Sequence, residues 1–404
     1  MLSMRVKKSQ KPRVPQKDSK RIGFLLPRFH TNSAGWMRQL SDSGYEVHVA
    51  TLSSTPFEVI RGASSVTRLR THGLYDPTKT PSRAGDLLQS MCTWVNFRST
   101  LSWVRDKRVS IVVARLPLRP YGIALALLLR TNSRQVILYS QEPIIRDNSI
   151  SNLVSSLIYR LVATLGFRFM SPVLVRPAPR EILPENQSWM TPVEYIPFVP
   201  RSTVTRPPPV GGLQILAVAK MVKRKRLDAV LRSFITVRSQ YDNPCVRLKL
   251  IVQIMNQDHE RRLGSFKQQV EQSGFSNSIE ILSNLTPSAV QEQMRQSSLC
   301  ILVSESEPAA IVPLEAAANG CAIIVTRSGG TSHYFADGNS GILVGDSETE
   351  ITNAMRSCLD EEFLLQLRCQ GLKVATNLYR STFIKSFIDS VSSSPKTPNM
   401  QRFE

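Results

Sequence analysis

Three short stretches hold residues whose types and spacing suit the binding of a charged ligand. The first is Lys220-Met221-Val222-Lys223-Arg224-Lys225-Arg226-Leu227-Asp228, with five cations in seven positions just before an expected helix. A helix N-terminus carries about half a positive charge and prefers anions, so this crowding is unfavourable by itself. A bound phosphate would satisfy the cations and the unpaired amides together. A solvated basic loop has the same charge pattern, and charge alone leaves both open.

The second stretch runs from Ser304 to Gly320 and contains Glu307 and Glu315 in a Glu-x7-Glu spacing. Pro313 suits the first helical turn and Gly320 the position just past the helix end, so the helix between them is short. Glu307 then lies in a strand-to-helix loop and Glu315 in the first turn, where the prolines let both approach one ligand. Equally, Glu315 fits as a carboxylate favoured by the helix dipole, and Glu307 as a solvated loop acid. The third stretch, Arg327-Ser328-Gly329-Gly330-Thr331, follows an apolar run; its glycines permit close backbone approach to a ligand or form a plain tight turn.

These stretches need elements to hold them. From Arg21 the chain alternates short apolar runs with helical patterns: RIGFLL (21–26), a helix over 33–43 stopped by Gly44, EVHVAT (46–51), SIVVAR (110–115), GIALALLLR (122–130) and QVILYS (135–140). A second series follows: LQILAVA (213–219), a helix from Leu227, RLKLIVQI (247–254), a helix near 258–273 and IEILS (279–283). It continues with a helix opened by Thr286-Pro287, LCILVS (299–304), PLEAAANG (313–320), CAIIVT (321–326) and GILV (341–344). Such alternation implies parallel, helix-covered sheets. Ser347-Glu348-Thr349-Glu350 fits a capping box. PRSTVTRPPPVGG (200–212) lacks periodicity and is the expected linker. The domains are therefore expected at 21–199 and 213–391, flanked by a disordered basic arm (1–20) and a disordered tail (392–404).

At 404 residues the chain is long enough for two cores. Its longest apolar run, Ile123 to Leu129, is too short to span a bilayer. The basic N-terminus is followed by no apolar segment, so a cytoplasmic location is expected. The six cysteines show no metal-ligand spacing and are expected to be buried free thiols; no metal site is expected either. The formal charge of +20 calls for an anionic partner: nucleic acid, an anionic membrane leaflet or a phosphorylated substrate.

The cationic strand-to-helix loop, the Glu-x7-Glu spacing and the Gly-Gly turn together resemble the C-terminal domain of glycosyltransferase family 4, over about 213–345. The resemblance implies a GT-B fold, in which two Rossmann-like doubly wound domains face a central cleft, and retaining transfer from a nucleotide sugar without a metal. The family's G-R-L-x-x-x-K-G loop, which binds the donor diphosphate, reads here Ala219-Lys220-Met221 and then Lys225-Arg226, so Lys220 and Lys225 inherit the phosphate roles. Glu307 is similar to the glutamate that contacts the transferred sugar, and Glu315 to the one that holds the ribose. The amides of Ala309, Ala310 and Ile311, with Gly329 and Gly330, would approach the donor. The E-P-A variant at 307–309 resembles the bacterial branch.

The first half resembles the family less closely. Its opening glycine pair is reduced here to Gly35 in PRFHTNSAG (27–35), and the histidine expected after the fourth strand is replaced by Arg115. His30 and Glu142 follow strands and could face the acceptor side of the cleft. What the resemblance implies is a hexosyl- or related transferase acting on a glycan or lipid-linked acceptor, in cell-surface polysaccharide synthesis. The charge fits work at the cytoplasmic face of the inner membrane, with the basic arm and the apolar segment 149–167 helping the chain dock, although the spacing in 149–167 equally fits a core-facing helix. Two alternatives stand beside it. A basic nucleic-acid-binding protein would interleave aromatic residues with its cations, and 219–228 has none. A nucleotide-sugar epimerase or an inactive homologue would share the donor site.

Overall fold

The computed structural model describes residues 20–26, 31–51, 63–69, 71–72, 94–95, 97–115, 128–129, 135–139, 173–176, 193–209, 211–241, 245–305, 307 and 309–393. The basic arm up to residue 19, His30, most of the expected helix 122–130, Glu142, the segment 149–167 and the tail beyond 393 lie outside them.

Apolar runs such as 21–26, 111–114, 299–302 and 322–326, buried nearly end to end, become central strands of two parallel sheets, while the edge strands at 65–68 and 279–283 are partly exposed. The first contains β1 (Arg21–Leu26), β2 (Glu46–Thr51), β3 (Ser65–Arg68), β6 (Ile111–Ala114), β7 (Gln135–Tyr139), β8 (Val173–Arg176) and β9 (Val193–Tyr195). Its strand order is β3-β2-β1-β6-β7-β8-β9, every neighbour parallel. A small antiparallel pair, β4 (Thr71–His72) with β5 (Trp94–Val95), stands apart. Helix α1 (Ala34–Asp42) buries Trp36, Met37 and Leu40 in this sheet's core, and α2 (Phe97–Asp106) buries Trp103 and Val104.

The second sheet has the order β12-β11-β10-β13-β14-β15, again all parallel. It is built from β10 (Gln214–Lys220), β11 (Arg247–Gln253), β12 (Ile279–Ser283), β13 (Leu299–Leu302), β14 (Ala322–Thr326) and β15 (Ile342–Val344). Its helices are α3 (Leu227–Gln240), α4 (Gln257–Gln272), α5 (Pro287–Arg295), α6 (Val312–Ala318), α7 (Glu348–Ser357) and α8 (Glu361–Arg380). The expected elements occur, most with ends shifted by one or two residues. Thr286 caps α5 as read, its hydroxyl accepting from the Ala289 amide at 3.3 Å.

Four expectations need adjustment. Ser347 does cap α7, but through the Thr349 amide, while Glu350 reaches past it to Gly345 N (2.9 Å) and Arg327 (2.8 Å); there is no reciprocal capping box. Cys245 is exposed, although Cys300, Cys321 and Cys358 are buried free thiols. The segment 200–212 is no loose tether. Val204 N donates to Ala318 O at 2.9 Å, Arg368 Nη2 to Pro208 O at 2.5 Å, and the Thr203 and Thr376 hydroxyls meet at 3.1 Å, so it lies against α6 and α8.

Finally, helix α9 (Phe383–Ser393) returns to the first domain and packs on α1. Asp389 accepts from Tyr45 and pairs with Lys20 (3.0 Å) and Lys385 (2.8 Å), and Gln135 Nε2 donates to Val391 O at 2.7 Å. Residues up to 391 therefore do not all belong to the second body. Among the described residues no helix is long and apolar enough to cross a membrane.

Candidate functional site

In the second sheet the strand order reverses between β10 and β13, and loops leaving adjacent strands at such a point border one crevice. The loop after β10 begins at Lys220, the last residue of that strand, and carries the run of cations. Lys223–Lys225 form a single 3-10 turn; Arg226 then adopts φ +51°, ψ 37°, and α3 begins at Leu227. That left-handed backbone is the one glycine adopts most readily, and Arg226 occupies the position of the family's loop glycine.

The loop after β13 is tied to this turn. Glu305 N donates to Arg224 O at 2.8 Å, which brings Glu307 over the cations. One oxygen of Glu307, Oε2, accepts from both Lys225 Nζ (2.5 Å) and Arg224 Nη1 (2.6 Å). The Glu307 carbonyl accepts from Gly330 N at 2.9 Å, so the glycine turn after β14 closes the third side. Three strand ends thus converge on one residue, two cations on its carboxylate and Gly330 on its backbone carbonyl.

Arg226 is engaged as well: it donates to the Asp346 backbone carbonyl at 2.6 Å and lies 3.4 Å from the Asp346 carboxylate. Beyond the run, Arg232 pairs with Glu348 at 2.5 Å and Arg327 with Glu350 at 2.8 Å. Within the run, Arg224, Lys225 and Arg226 are therefore answered in part by the protein's own acids from other strand ends.

The pair is well shielded: Lys225 and Glu307 side chains are 10% and 12% exposed, against 48% for Arg224. Burial pushes the Lys225 ammonium down, with Glu307 working against it. For Glu307, burial acts upward, but the charges and hydrogen bonds of Lys225 and Arg224 outweigh it and hold the carboxyl below its ordinary range.

The stretch between the two glutamates is braced by Thr331. Its hydroxyl accepts from Ala310 N at 2.7 Å and donates to Ala310 O at 3.1 Å, so that amide is already engaged. Gly329 has an extended backbone (φ −89°, ψ 138°), and a Cβ there would meet only ordinary contacts at 3.5 Å or more; neither conformation nor packing demands glycine. Glu315, in the first turn of α6, is buried and faces Arg201. Arg201 Nε lies 2.5 Å from Oε1 and Nη2 3.3 Å from Oε2.

On the first domain, Gly35 has a packing cause: a Cβ would sit 2.0 Å from Val199 O, so α1 can approach the segment 196–200 only with glycine there. Trp36 fixes the same contact, its Nε1 donating to Pro197 O at 2.7 Å. Arg115 follows β6, with its guanidinium 5.8 Å from the Tyr139 ring centre, and Tyr139 packs edge-on against Trp36. The second-domain residues Glu307, Lys225 and Gly330 are thus brought together directly. Sequence reasoning did not single out Arg224, Arg201 or Thr331. Arg224 was visible in the cation run and Thr331 at the end of the glycine stretch, whereas nothing local marked Arg201.

Residues 205–371, which include the second sheet and the loops that hold Lys225, Glu307 and Gly330, match the protein family described as Glycosyl transferases group 1. A D-inositol 3-phosphate glycosyltransferase of Corynebacterium glutamicum (strain R) is 24% identical over 146 residues, covering 32% of this chain. The match spans only 35% of that relative's length. Among solved structures, a sucrose-phosphate synthase from Thermosynechococcus elongatus superposes with a TM-score of 0.68 at 14% identity, over 92% of this chain and 98% of the other. The Anabaena protein HepE in complex with UDP-glucose gives 0.67 at 14% identity, over 93% and 100%. WaaG, a glycosyltransferase involved in lipopolysaccharide biosynthesis, gives 0.61 at 15%, over 92% and 100%. At such identities the likeness is one of fold: the chain has the two-domain GT-B architecture.

Proposed function

We propose that this chain, a GT-B fold carrying a group 1 glycosyltransferase domain, transfers a sugar from a nucleoside-diphosphate sugar to a hydroxyl of a glycan or lipid-linked acceptor. The observation that carries the proposal is the convergence of Lys225, Arg224 and Gly330 on Glu307 at the point of strand-order reversal, inside the matched segment. Both cations are already aimed by that carboxylate, and Lys225 is largely desolvated as well. An arriving diphosphate replaces one anion with another and leaves Glu307 beside the sugar.

In this reaction the bond between the anomeric carbon and the diphosphate oxygen breaks, and negative charge grows on the leaving nucleoside diphosphate. Lys225 and Lys220 stabilise that charge electrostatically, with the amides of Ala309 and Ile311 on the side where Thr331 has taken Ala310, while Arg224 helps hold the bound donor. Gly329 leaves room for the phosphates. Glu315 takes the ribose hydroxyls. The acceptor hydroxyl attacks the face that the diphosphate leaves, with retention of configuration and without a metal, and Arg115 borders the acceptor side in place of a histidine. UDP-sugars are the first donors to try, because HepE was solved with UDP-glucose.

The formal charge of +20 supports an acceptor presented on an anionic membrane at the cytoplasmic face, as in cell-surface polysaccharide synthesis. The deciding experiment is a thermal-shift screen of nucleotide sugars, followed by separate assays of donor hydrolysis, epimerisation and transfer. Stabilisation by at least one nucleotide sugar and transfer of its sugar are expected. A folded protein indifferent to every donor would remove the proposal.

A further inference from the structure

Among the described residues Glu315 is the one buried acidic side chain, 3% exposed. A carboxylate so far from water is costly unless a charge answers it. The answer comes from Arg201, 114 positions earlier, on the segment that joins the two sheets. That segment is itself fastened to α6 and α8 through Val204 and Pro208, so Arg201 approaches Glu315 from a fixed base.

The contact is side-on, with Nε on Oε1 and Nη2 on Oε2. An ionised carboxylate has about four acceptor sites, two on each oxygen. Arg201 uses one on each and leaves one on each, a spacing suited to two neighbouring hydroxyls.

We infer that Arg201 is a positioning residue that fixes Glu315 as a double acceptor for both hydroxyls of the donor ribose, and so sets a preference for ribonucleotides over 2′-deoxyribonucleotides. The inference rests on the donor site proposed above. Burial raises the Glu315 carboxyl, and the charge and hydrogen bonds of Arg201 pull it back. Other polar and titratable groups on the elements packed around α6 are engaged elsewhere. Arg295 on α5 binds Glu292 and Asn319 Oδ1; Arg368 on α8 binds Gly320 O and Pro208 O. Tyr334, in the turn after β14, accepts from Phe198 N while His333 packs on Tyr195, and the Cys321 thiol donates to Met294 O. Removing Arg201 therefore leaves Glu315 free to take up a proton and lose an acceptor site.

The test is calorimetric titration at pH 6 and pH 8, using whichever of UDP, GDP or ADP binds the wild type best, together with its 2′-deoxy form. The wild type is expected to prefer the ribose form about tenfold, equivalent to about 1.4 kcal/mol, at both pH values. Arg201→Met is expected to bring the two forms within about twofold and to weaken ribonucleotide binding as pH falls from 8 to 6; Arg201→Lys should keep part of the preference. If Arg201→Met does not fold, the double variant Arg201→Met/Glu315→Gln, with no buried charge left to pair, takes its place and should show no preference. An unchanged preference and flat pH response in the Arg201 variants, or tighter binding, would overturn the inference alone. Failure of the folded wild type to bind any of the three nucleotides would instead overturn the donor site.

Discussion

Glu307 and Glu315 belong to one loop-and-helix unit, yet their surroundings drive them in opposite directions. Glu307 is shared between two cations and keeps a 12% exposed side chain; Glu315 meets one cation and is 4% exposed. At Glu307 the paired charges win over burial and the carboxyl is held low; at Glu315 burial wins over Arg201 and the carboxyl is raised. A carboxylate that must exchange its partners for a diphosphate is best kept strongly ionised and close to solvent. One that only accepts hydroxyls can be deeper, provided something maintains its charge.

The largest expected break in this comparison is Glu307→Ala. It leaves Lys225 buried without its acid, a loss on the order of 3 kcal/mol of stability, visible as a lower melting temperature. It should also remove transfer. Lys225→Met keeps the volume, so with Glu307→Gln it should recover most of the stability while transfer stays down by about 10²–10³-fold, the usual effect of losing one electrostatic stabiliser. Recovery of activity along with stability would mean that the pair is structural only.

The second contrast is in pH. Glu307 has a folded pKa below its unfolded value, so its contribution is present above the unfolded pKa and is lost as pH falls through the folded one. Glu315 is the reverse: its raised pKa gives a contribution present at low pH that is lost as pH rises through the folded value. Melting temperatures measured from pH 3 to pH 8 should show Glu307→Gln flattening the loss of stability towards acid and Glu315→Gln flattening the decline as pH rises. Parallel curves for the two variants would show that their environments do not differ in this way.

How legible this arrangement was depended on the range of the interactions. Apolar runs such as EVHVAT and IEILS fixed their own strands, and Thr286-Pro287 and Gly320 marked helix ends, because those signals act within a few residues. The clustering of Lys225 with Glu307 was approached through the resemblance, not through periodicity. Arg201 could not be found, since a proline-rich stretch without pattern gives no hint that one of its side chains faces an acid 114 positions on. Gly35 looked like a ligand-facing glycine because a close backbone approach has the same sequence signature whether the neighbour is a substrate or Val199. The return of α9 to α1 was hidden for a similar reason. Its apolar face is plain in FIKSFIDSV, but a helical period does not say which sheet it will cover.

The smallest expected effect separates the two cations that share one oxygen of Glu307. Arg224 is nearly half exposed, so in the absence of ligand its pairing is that of a surface ion pair and Arg224→Ala should change stability by less than about 1 kcal/mol. Its role with donor bound is different, because a diphosphate brings more charge than a single carboxylate and gives the guanidinium a second partner. Arg224→Ala is therefore expected to raise the donor KM about fivefold, roughly 1 kcal/mol, with kcat little altered, as measured by initial rates over a donor series. A fall in kcat of the size expected for Lys225→Met would place Arg224 on the charge that develops during transfer and make the exposed cation as important as the buried one.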